Sequence, residues 1–314
     1  MKKNIIIGKI EVDVFGIQNA REEQWQNMDQ IRLKAMAKIN LGLDVVRRRE
    51  DGYHEVRMIM QNIHLYDTIF MKKLQGNEIK VKTNLHFLPT NENNLVYQAA
   101  KLLKDEFKIE TGVLIELQKY IPVAAGMAGG STDAAAVLYG MNQMFNLHLS
   151  KQDLMERGVK IGADVPYCIM RGTALSEGIG EILNPLPPMP RCPILIAKPA
   201  ISVSTKYVYE NLHANELKEH PDIDGIVEAI KAEDIKGVAS KLENVLETVT
   251  EREYPVITEL KDFMKSHGAL NAIMSGSGPT VFGIYDREDV AAEAYRALKA
   301  AGIAKQVFLT ETFN

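Results

Sequence analysis

Between Ile121 and Met141 the chain places Gly126, Gly129 and Gly130 within five residues and follows them with strong helix formers. Glycine admits positive φ and lets a ligand approach the backbone amides. Ser131, Thr132 and Asp133 suit a helix cap or first turn, and Ala134, Ala135, Ala136, Leu138 and Met141 carry the helix onward. A flexible loop feeding a helix N-terminus offers unpaired N–H groups at the positive end of the dipole. The chemistry that suits this pattern is the holding of phosphate. A plain glycine turn before a buried, alanine-rich helix suits the same residues, and the loop taken alone does not separate the two. No Lys follows the glycines as a P-loop requires, and the G-x-G-x-x-G spacing of dinucleotide sites is absent.

Four other places carry reactive side chains, each with a bland reading of its own. Lys38 and Asn40 interrupt an apolar stretch, where a lone Lys commonly snorkels to the surface. Tyr53 and His54 follow Asp51-Gly52, a strong turn signal, and by default mark a sheet edge. Asp164 lies two residues before Pro166, which disfavours helix at Val165 and places Asp164 on a bend; such an Asp is ordinarily a cap or turn former. Ser275-Gly276-Ser277-Gly278-Pro279 is a small-residue loop whose plain reading is a hairpin turn.

The elements that must position these residues are legible in outline. Residues 31–46 favour a strand with Ile31, Leu33, Ile39, Leu41 and Leu43 on one side, and a second strand runs 56–62 after the turn. Strands are expected at 68–72, 79–83 and 113–117, the last delivering the chain to the glycine loop. A helix is expected over 91–107, capped by Asn91 or Asn93, and another from Ser150 to about Lys160. Residues 167–182 read as short strands with glycine turns. The prolines at 185, 187, 188, 190 and 193 mark a domain boundary. Beyond it come a strand at 194–198, a helix bearing Tyr207 and Tyr209, helices at 223–231, 233–248 and 255–267, strands at 269–274 and 280–285, a helix at 287–301 and a strand at 305–309. Interleaved strands and helices make this an α+β unit. Residues 5–15 alternate partially, as a strand would, and 1–27 as a whole read as a peripheral leader.

A chain of 314 residues accommodates two packed domains, and 46% hydrophobic with 25% charged residues is ordinary globular composition, which sets disorder aside. The net charge of -4 argues against a general nucleic-acid binder. Cys168 and Cys192 form no C-x-x-C motif and fit a reducing compartment, and the histidines form no H-x-x-x-H pair. No apolar run approaches the ~20 residues of a membrane helix. Lys9, Glu11 and Asp13 break the apolar start of the chain, so an export signal is not expected and a cytoplasmic protein is.

Pro122-Val-Ala-Ala-Gly-Met-Ala-Gly-Gly-Ser-Thr-Asp-Ala-Ala resembles the central motif of the GHMP kinases. Ala37-Lys38-Ile39-Asn40-Leu41, Asp51-Gly52-Tyr53-His54-Glu55 and Gly162-Ala163-Asp164-Val165-Pro166 narrow the resemblance to a member with a cytidine-bearing substrate, and Ser275–Thr280 resembles the family's C-terminal motif. The likeness runs from Met28 to near the C-terminus, with the motifs in order. It implies a two-domain fold: a ribosomal-protein-S5-like ATP-binding domain at 28–186 and a ferredoxin-like domain at 187–314, with the substrates between them. It implies transfer of the ATP γ-phosphoryl group to a tertiary hydroxyl of a cytidine diphosphate substrate. Asp164 would be the base and Lys38 its stabilising cation, although the two would also make a plain structural ion pair. Pro122, Val123, Ala124, Ala125, Gly126, Met127, Ala128, Gly129, Gly130, Ser131 and Thr132 would hold ATP. Asn40, Tyr53, His54, Tyr209, Gly276 and Ser277 would hold the alcohol, with Tyr207 the alternative to Tyr209 as the ring that stacks on cytosine. Magnesium would accompany ATP, with Ser131 or Thr132 near it and its ligands otherwise unassigned. A monomer or homodimer is expected. Many family members carry Gly-Leu-Gly-Gly-Gly-Ser-Ser where this chain has Gly126-Met-Ala-Gly-Gly-Ser-Thr, so one glycine is replaced by Ala128.

Overall fold

The computed structural model describes residues 11–12, 28–217 and 219–314. The expectations for the rest of 1–27 lie outside the described residues. The chain runs through β1 (Glu11–Val12), β2 (Gln30–Arg48), β3 (His54–Leu74), β4 (Ile79–Thr83), α1 (Leu95–Phe107), β5 (Gly112–Gln118), α2 (Gly129–Met144), α3 (Lys151–Gly158), α4 (Val165–Met170), β6 (Thr173–Glu177) and β7 (Ile182–Pro185). It continues through β8 (Pro193–Lys198), α5 (Thr205–Asn211), a 3-10 turn (Ala214–Glu216), α6 (Ile223–Lys231), α7 (Ile235–Ser240) and β9 (Glu243–Asn244). The last elements are α8 (Glu247–Glu253), α9 (Val256–Ser266), β10 (Asn271–Met274), β11 (Val281–Ile284), α10 (Glu288–Ala301) and β12 (Gln306–Glu311).

The first sheet is built on the long antiparallel pair β2 and β3, in the order β1-β2-β3-β5-β4, with β6 also on β3, β7 on β6, and β9 on β2. The strands expected at 56–62 and 68–72 are one continuous strand, β3. The expectation that Ile31, Leu33, Ile39, Leu41 and Leu43 share one side of β2 is overturned. Ile31, Leu33 and Ala35 join one core, Ala37, Ile39 and Leu41 a second, and Leu43 and Val45 the first again. Register shifts against β3 lie between Met36 and Lys38 and between Asn40 and Gly42. Each extra residue reverses which face the next side chains take. Lys38 and Asn40 sit in the segment between those two irregularities.

Helix α2 packs across this sheet with Val137, Leu138, Met141 and Met144 buried. Each such side chain contributes roughly 1.5–3 kcal/mol when fully buried. Gly140 lets the helix approach closely, since a Cβ there would stand 2.4 Å from Met71 Sδ. Helix α1 starts later than expected: Asn94 is its N-cap, accepting from Val96 N at 3.1 Å, while Asn91 accepts from Asn93 N and shapes the preceding turn. Residues 167–170, expected as strand, belong to α4, because Pro166 in a first helical turn removes an N–H that would have no partner there anyway.

The chain leaves the first sheet at Pro185 and enters the second at Pro193. The second sheet is fully antiparallel, in the order β10-β11-β8-β12. The sequence β8–α9–β10–β11–α10–β12 with that spatial order is the ferredoxin-like arrangement. The single helix expected over 233–248 is instead α7, β9 and the start of α8. Glu243 and Asn244 leave the helical path to pair with Gly42 and Leu43 of β2, and Asn244 turns its amide onto loop carbonyls. Among the described residues no helix is long and apolar enough to cross a membrane.

Candidate active site

A cavity of about 1040 Å³ opens where β2, the turn before β3, the glycine loop, α4, α5 and the Ser275–Gly278 loop converge. Its lining includes Lys38, Asn40, Tyr53, His54, all of Pro122–Ser131, Asp164, Tyr209, Gly276 and Ser277. Thr132, expected among the ATP-binding residues, is not in that lining. It lies in the first turn of α2 and is buried. The helix begins at Gly129 instead of at the Ser131–Asp133 capping cluster, which turns Thr132 into the core.

The glycine loop enters α2 through backbone alone. Ala124, Gly126 and Ala128 have φ of 50°, 69° and 54°, and no side chain caps the helix. Its first N–H groups are therefore left for a ligand. Ala128 occupies a left-handed conformation that costs an L-residue about 1–2 kcal/mol. Ala128→Gly relieves this strain but loosens the unfolded chain by about 0.4–1 kcal/mol. The net expectation is a gain of roughly 0.5–1 kcal/mol, read by urea unfolding; a loss would mean that the Ala128 methyl packs better than it strains.

Lys38 does not snorkel to the surface. It is buried, takes a backbone hydrogen bond from its own N–H to Met127 O at 3.2 Å, and donates from Nζ to Asn40 Oδ1 at 2.7 Å. Asn40 in turn donates to Met58 Sδ at 3.2 Å. Asp164 is the N-cap residue of α4 but makes no side-chain cap bond. No ion pair joins Lys38 to Asp164 among the described residues, although both face the same cavity. The cavity thus holds a carboxylate and an ammonium with space between them. Burial, and then the Asp164 charge, push the Cys168 thiol and the Tyr209 phenol up.

At the other side His54 and Tyr209 meet with ring centroids 5.1 Å apart, tilted by 46°. His54 Nε2 is buried without a hydrogen-bond partner. Burial, helped by the Arg48 charge, lowers the His54 pKa and keeps the imidazole neutral. Tyr207 is exposed and outside the lining.

Several cavity residues were not singled out in the sequence. Lys119, one strand-end before the glycine loop, is buried between Asp67 and Asp133, with Asp133 Oδ2 at 2.7 Å. Burial alone would push Lys119 down, but Asp133 and Asp67 beside it outweigh burial and raise it. Burial, with Asp67 nearby, pushes Asp133 well up despite Lys119. Asp67 also accepts from Tyr120 N and Ile121 N at 2.5 and 2.9 Å, anchoring the chain as it enters the loop. Leu88, Pro89, Leu95 and Leu117 supply an apolar wall, and Arg48 and Lys206 supply charge. Asp67 lies 52 residues from Lys119, so no local pattern announces the pair. Among the described residues no group of three or more His, Cys, Asp or Glu side chains is placed to hold a metal ion.

The family model described as GHMP kinases N terminal domain matches residues 94–172, and that described as GHMP kinases C terminal matches 226–304. A 4-diphosphocytidyl-2-C-methyl-D-erythritol kinase of Lachnospira eligens is 59% identical over 287 residues, covering 91% of this chain and 100% of that protein. The enzyme of the same name from Lachnoclostridium phytofermentans is also 59% identical, covering 91% of this chain and 99% of its own length. A crystal structure of 4-(cytidine 5'-diphospho)-2C-methyl-D-erythritol kinase superposes with a TM-score of 0.77 at 30% identity, over 90% of this chain and 99% of that one. Homoserine kinase from Cytophaga hutchinsonii, at 20% identity and a TM-score of 0.72 over 90% and 95%, shares the fold. The chain belongs to the GHMP kinases, and is an ATP-dependent phosphotransferase acting on a small molecule.

Proposed function

We propose that this protein transfers the γ-phosphoryl group of ATP to the C2 hydroxyl of 4-diphosphocytidyl-2-C-methyl-D-erythritol, giving the 2-phosphate and ADP in the non-mevalonate route to isopentenyl diphosphate. The observation that carries this reading is His54: a neutral imidazole with a buried, unpartnered Nε2, beside the Tyr209 ring, in the cavity that the glycine loop also lines. A cytosine edge supplies the missing partner and a flat face for the ring. Residues 28–186 would form the ATP-binding domain and 187–314 the second domain, with 1–27 peripheral; the passage from one sheet to the other between Pro185 and Pro193 supports this division.

Asp164 takes the proton of the tertiary hydroxyl as its oxygen bonds to the γ-phosphorus. The bond from that phosphorus to the β–γ bridging oxygen breaks, and ADP leaves. Lys38, fixed by Asn40, meets the charge growing on the transferred group. The amides of Gly126–Ser131 and the α2 dipole hold the ATP phosphates, and the wall of Leu88, Pro89, Leu95 and Leu117 receives the adenine. Positioning and charge stabilisation are what phosphoryl transfer chiefly asks of a protein. Magnesium would enter with ATP, its shell completed by phosphates and water and by the Ser131 hydroxyl. Asn40 would orient the erythritol hydroxyls, Tyr53 would stand beside His54 at the cytosine, and Gly276 and Ser277 would close near the substrate or the phosphates. The protein would work in the cytoplasm, as monomer or homodimer, without nucleic acid; its two cysteines are free and buried.

ADP release from magnesium-ATP, measured with this alcohol and with mevalonate and homoserine beside it, tests the reading. Turnover restricted to the cytidine substrate supports it. Preference for an alcohol without cytidine would discard the substrate, and ATP binding with no turnover on any alcohol would indicate a regulator. His54→Ala is expected to raise KM for the cytidine substrate about 5- to 150-fold, the cost of about 1–3 kcal/mol for leaving one buried polar group of the base unsatisfied, with the KM for ATP little changed. An unaltered KM for the alcohol would remove His54 from base recognition.

A further inference from the structure

The Ser275–Gly278 loop meets three of the elements that line the cavity, the glycine loop, α5 and β2. Ser275 Oγ donates to Gly126 O at 2.9 Å, Ser277 and Thr205 share a 2.8 Å hydroxyl hydrogen bond, and a Cβ on Gly276 would stand 3.6 Å from Asn40 Oδ1. A glycine-rich loop does not hold such a shape by itself. Behind it, Asn244 of β9 and Glu247 at the start of α8 bind the backbone of the loop and of Met274, the residue before it. Asn244 is buried, and its amide donates to Met274 O and to Gly276 O, both at 2.8 Å, while Oδ1 accepts from Leu246 N at 3.0 Å. Glu247 Oε1 accepts from Met274 N at 2.6 Å, and its other oxygen accepts from Lys261 Nζ at 2.6 Å. The same segment is tied to the strand that bears Lys38: Val245 N donates to Leu43 O at 3.0 Å, and Asn244 is in register with Leu43.

We infer that Asn244 and Glu247 are positioning residues of the phosphoryl-transfer site, setting the Ser275–Gly278 loop against the phosphate loop at Gly126 without touching either substrate. Neither lines the cavity, so neither contributes a contact to ATP or to the alcohol. The two N–H bonds of Asn244 point at the carbonyl of Gly276 in the loop and at that of Met274, the last residue of β10 before it, and a carboxylate there would repel them. The Glu247 carboxylate is held by Lys261, so its accepting oxygen cannot rotate away from Met274. Displacing a loop by about 1 Å at such a site costs on the order of 100-fold in rate.

The inference rests on the kinase reading but not on the identity of the alcohol, because its test runs on whichever alcohol the wild type phosphorylates. In purified full-length Asn244→Ala, kcat is expected to fall about 100-fold while KM for the alcohol stays within threefold, in protein that remains folded at the assay temperature by circular dichroism. Asn244→Asp, similar in shape, is expected to do no better. Glu247→Ala is expected to lose about 10-fold in kcat, and Glu247→Gln, which keeps the accepting oxygen, to recover most of that loss. A folded Asn244→Ala with wild-type kcat would overturn the inference. So would kcat losses that merely follow the fraction unfolded, or a Glu247→Gln no better than Glu247→Ala. If Asn244→Ala does not fold, the Glu247 pair decides alone. If the wild type turns over no alcohol, the kinase reading itself fails, and that is visible before any variant is compared.

Discussion

Asp164→Asn is expected to lower turnover by roughly 10²- to 10⁴-fold, the range that a positioned general base supplies, while ATP affinity changes by less than a few-fold. The substitution preserves shape and removes only charge and basicity. Asp164 makes no side-chain bond to the helix it precedes, so its loss as a carboxylate does not unpick α4. The phosphates are held elsewhere, by the amides that follow Gly126. ATP affinity therefore separates loss of a base from loss of the fold. Turnover above about one tenth of the wild-type rate would take the role of base from Asp164 and leave positioning and Lys38 as the source of catalysis.

Gly126→Ala is expected to be the most damaging single-methyl change in the site. A Cβ there would stand 2.1 Å from Ser275 O and 3.1 Å from Ser275 C, and the residue has φ of +69°. The contact is with backbone, which cannot swing aside as a side chain would. Overpacking of this kind costs about 1–3 kcal/mol, and the left-handed conformation about 1–2 kcal/mol more. The expected result is a loss of roughly 2–5 kcal/mol in unfolding free energy, with ATP affinity reduced at least 10-fold in any protein that folds. Gly130→Ala is the control for stability: its Cβ would meet only Leu95 Cδ1 at 3.4 Å, so unfolding should shift by less than about 0.5 kcal/mol, in the range of an unremarkable surface change. Equal stability losses in the two variants would show that the clasp between the loops is softer than its geometry implies.

The contrast between these glycines, both found in one short motif, shows where local reading stops. The run from Gly126 to Met141 determined that a loop turns into a helix and that the loop suits phosphate, because φ freedom, helix propensity and unpaired N–H groups are properties of neighbouring residues. Asp51-Gly52 and the prolines after Asn184 likewise act over one or two bonds, and they located the hairpin turn and the passage between the sheets, whereas Pro166, expected to keep Val165 out of a helix, stands in the first turn of α4, which begins at Val165 with Asp164 as its N-cap residue. The ordered motifs carried the family and with it a set of residues from Lys38 to Ser277, all of which but Thr132 line the cavity.

What only the tertiary structure decided depends on partners far away in the chain. The face taken by Ile39 and Leu41 follows from bulges defined against β3, not from alternation within β2. Thr132 is turned inward by where α2 begins. Lys119 is raised in spite of its burial because Asp133 and Asp67 are brought to it. Asn244 and Glu247 reach the end of β10 and the loop after it, 27 to 32 residues away, and Ser275 reaches Gly126 across 149. Side chains that act on distant backbone leave no periodicity and no spacing in the sequence, because the geometry that joins them exists only once both sheets have formed.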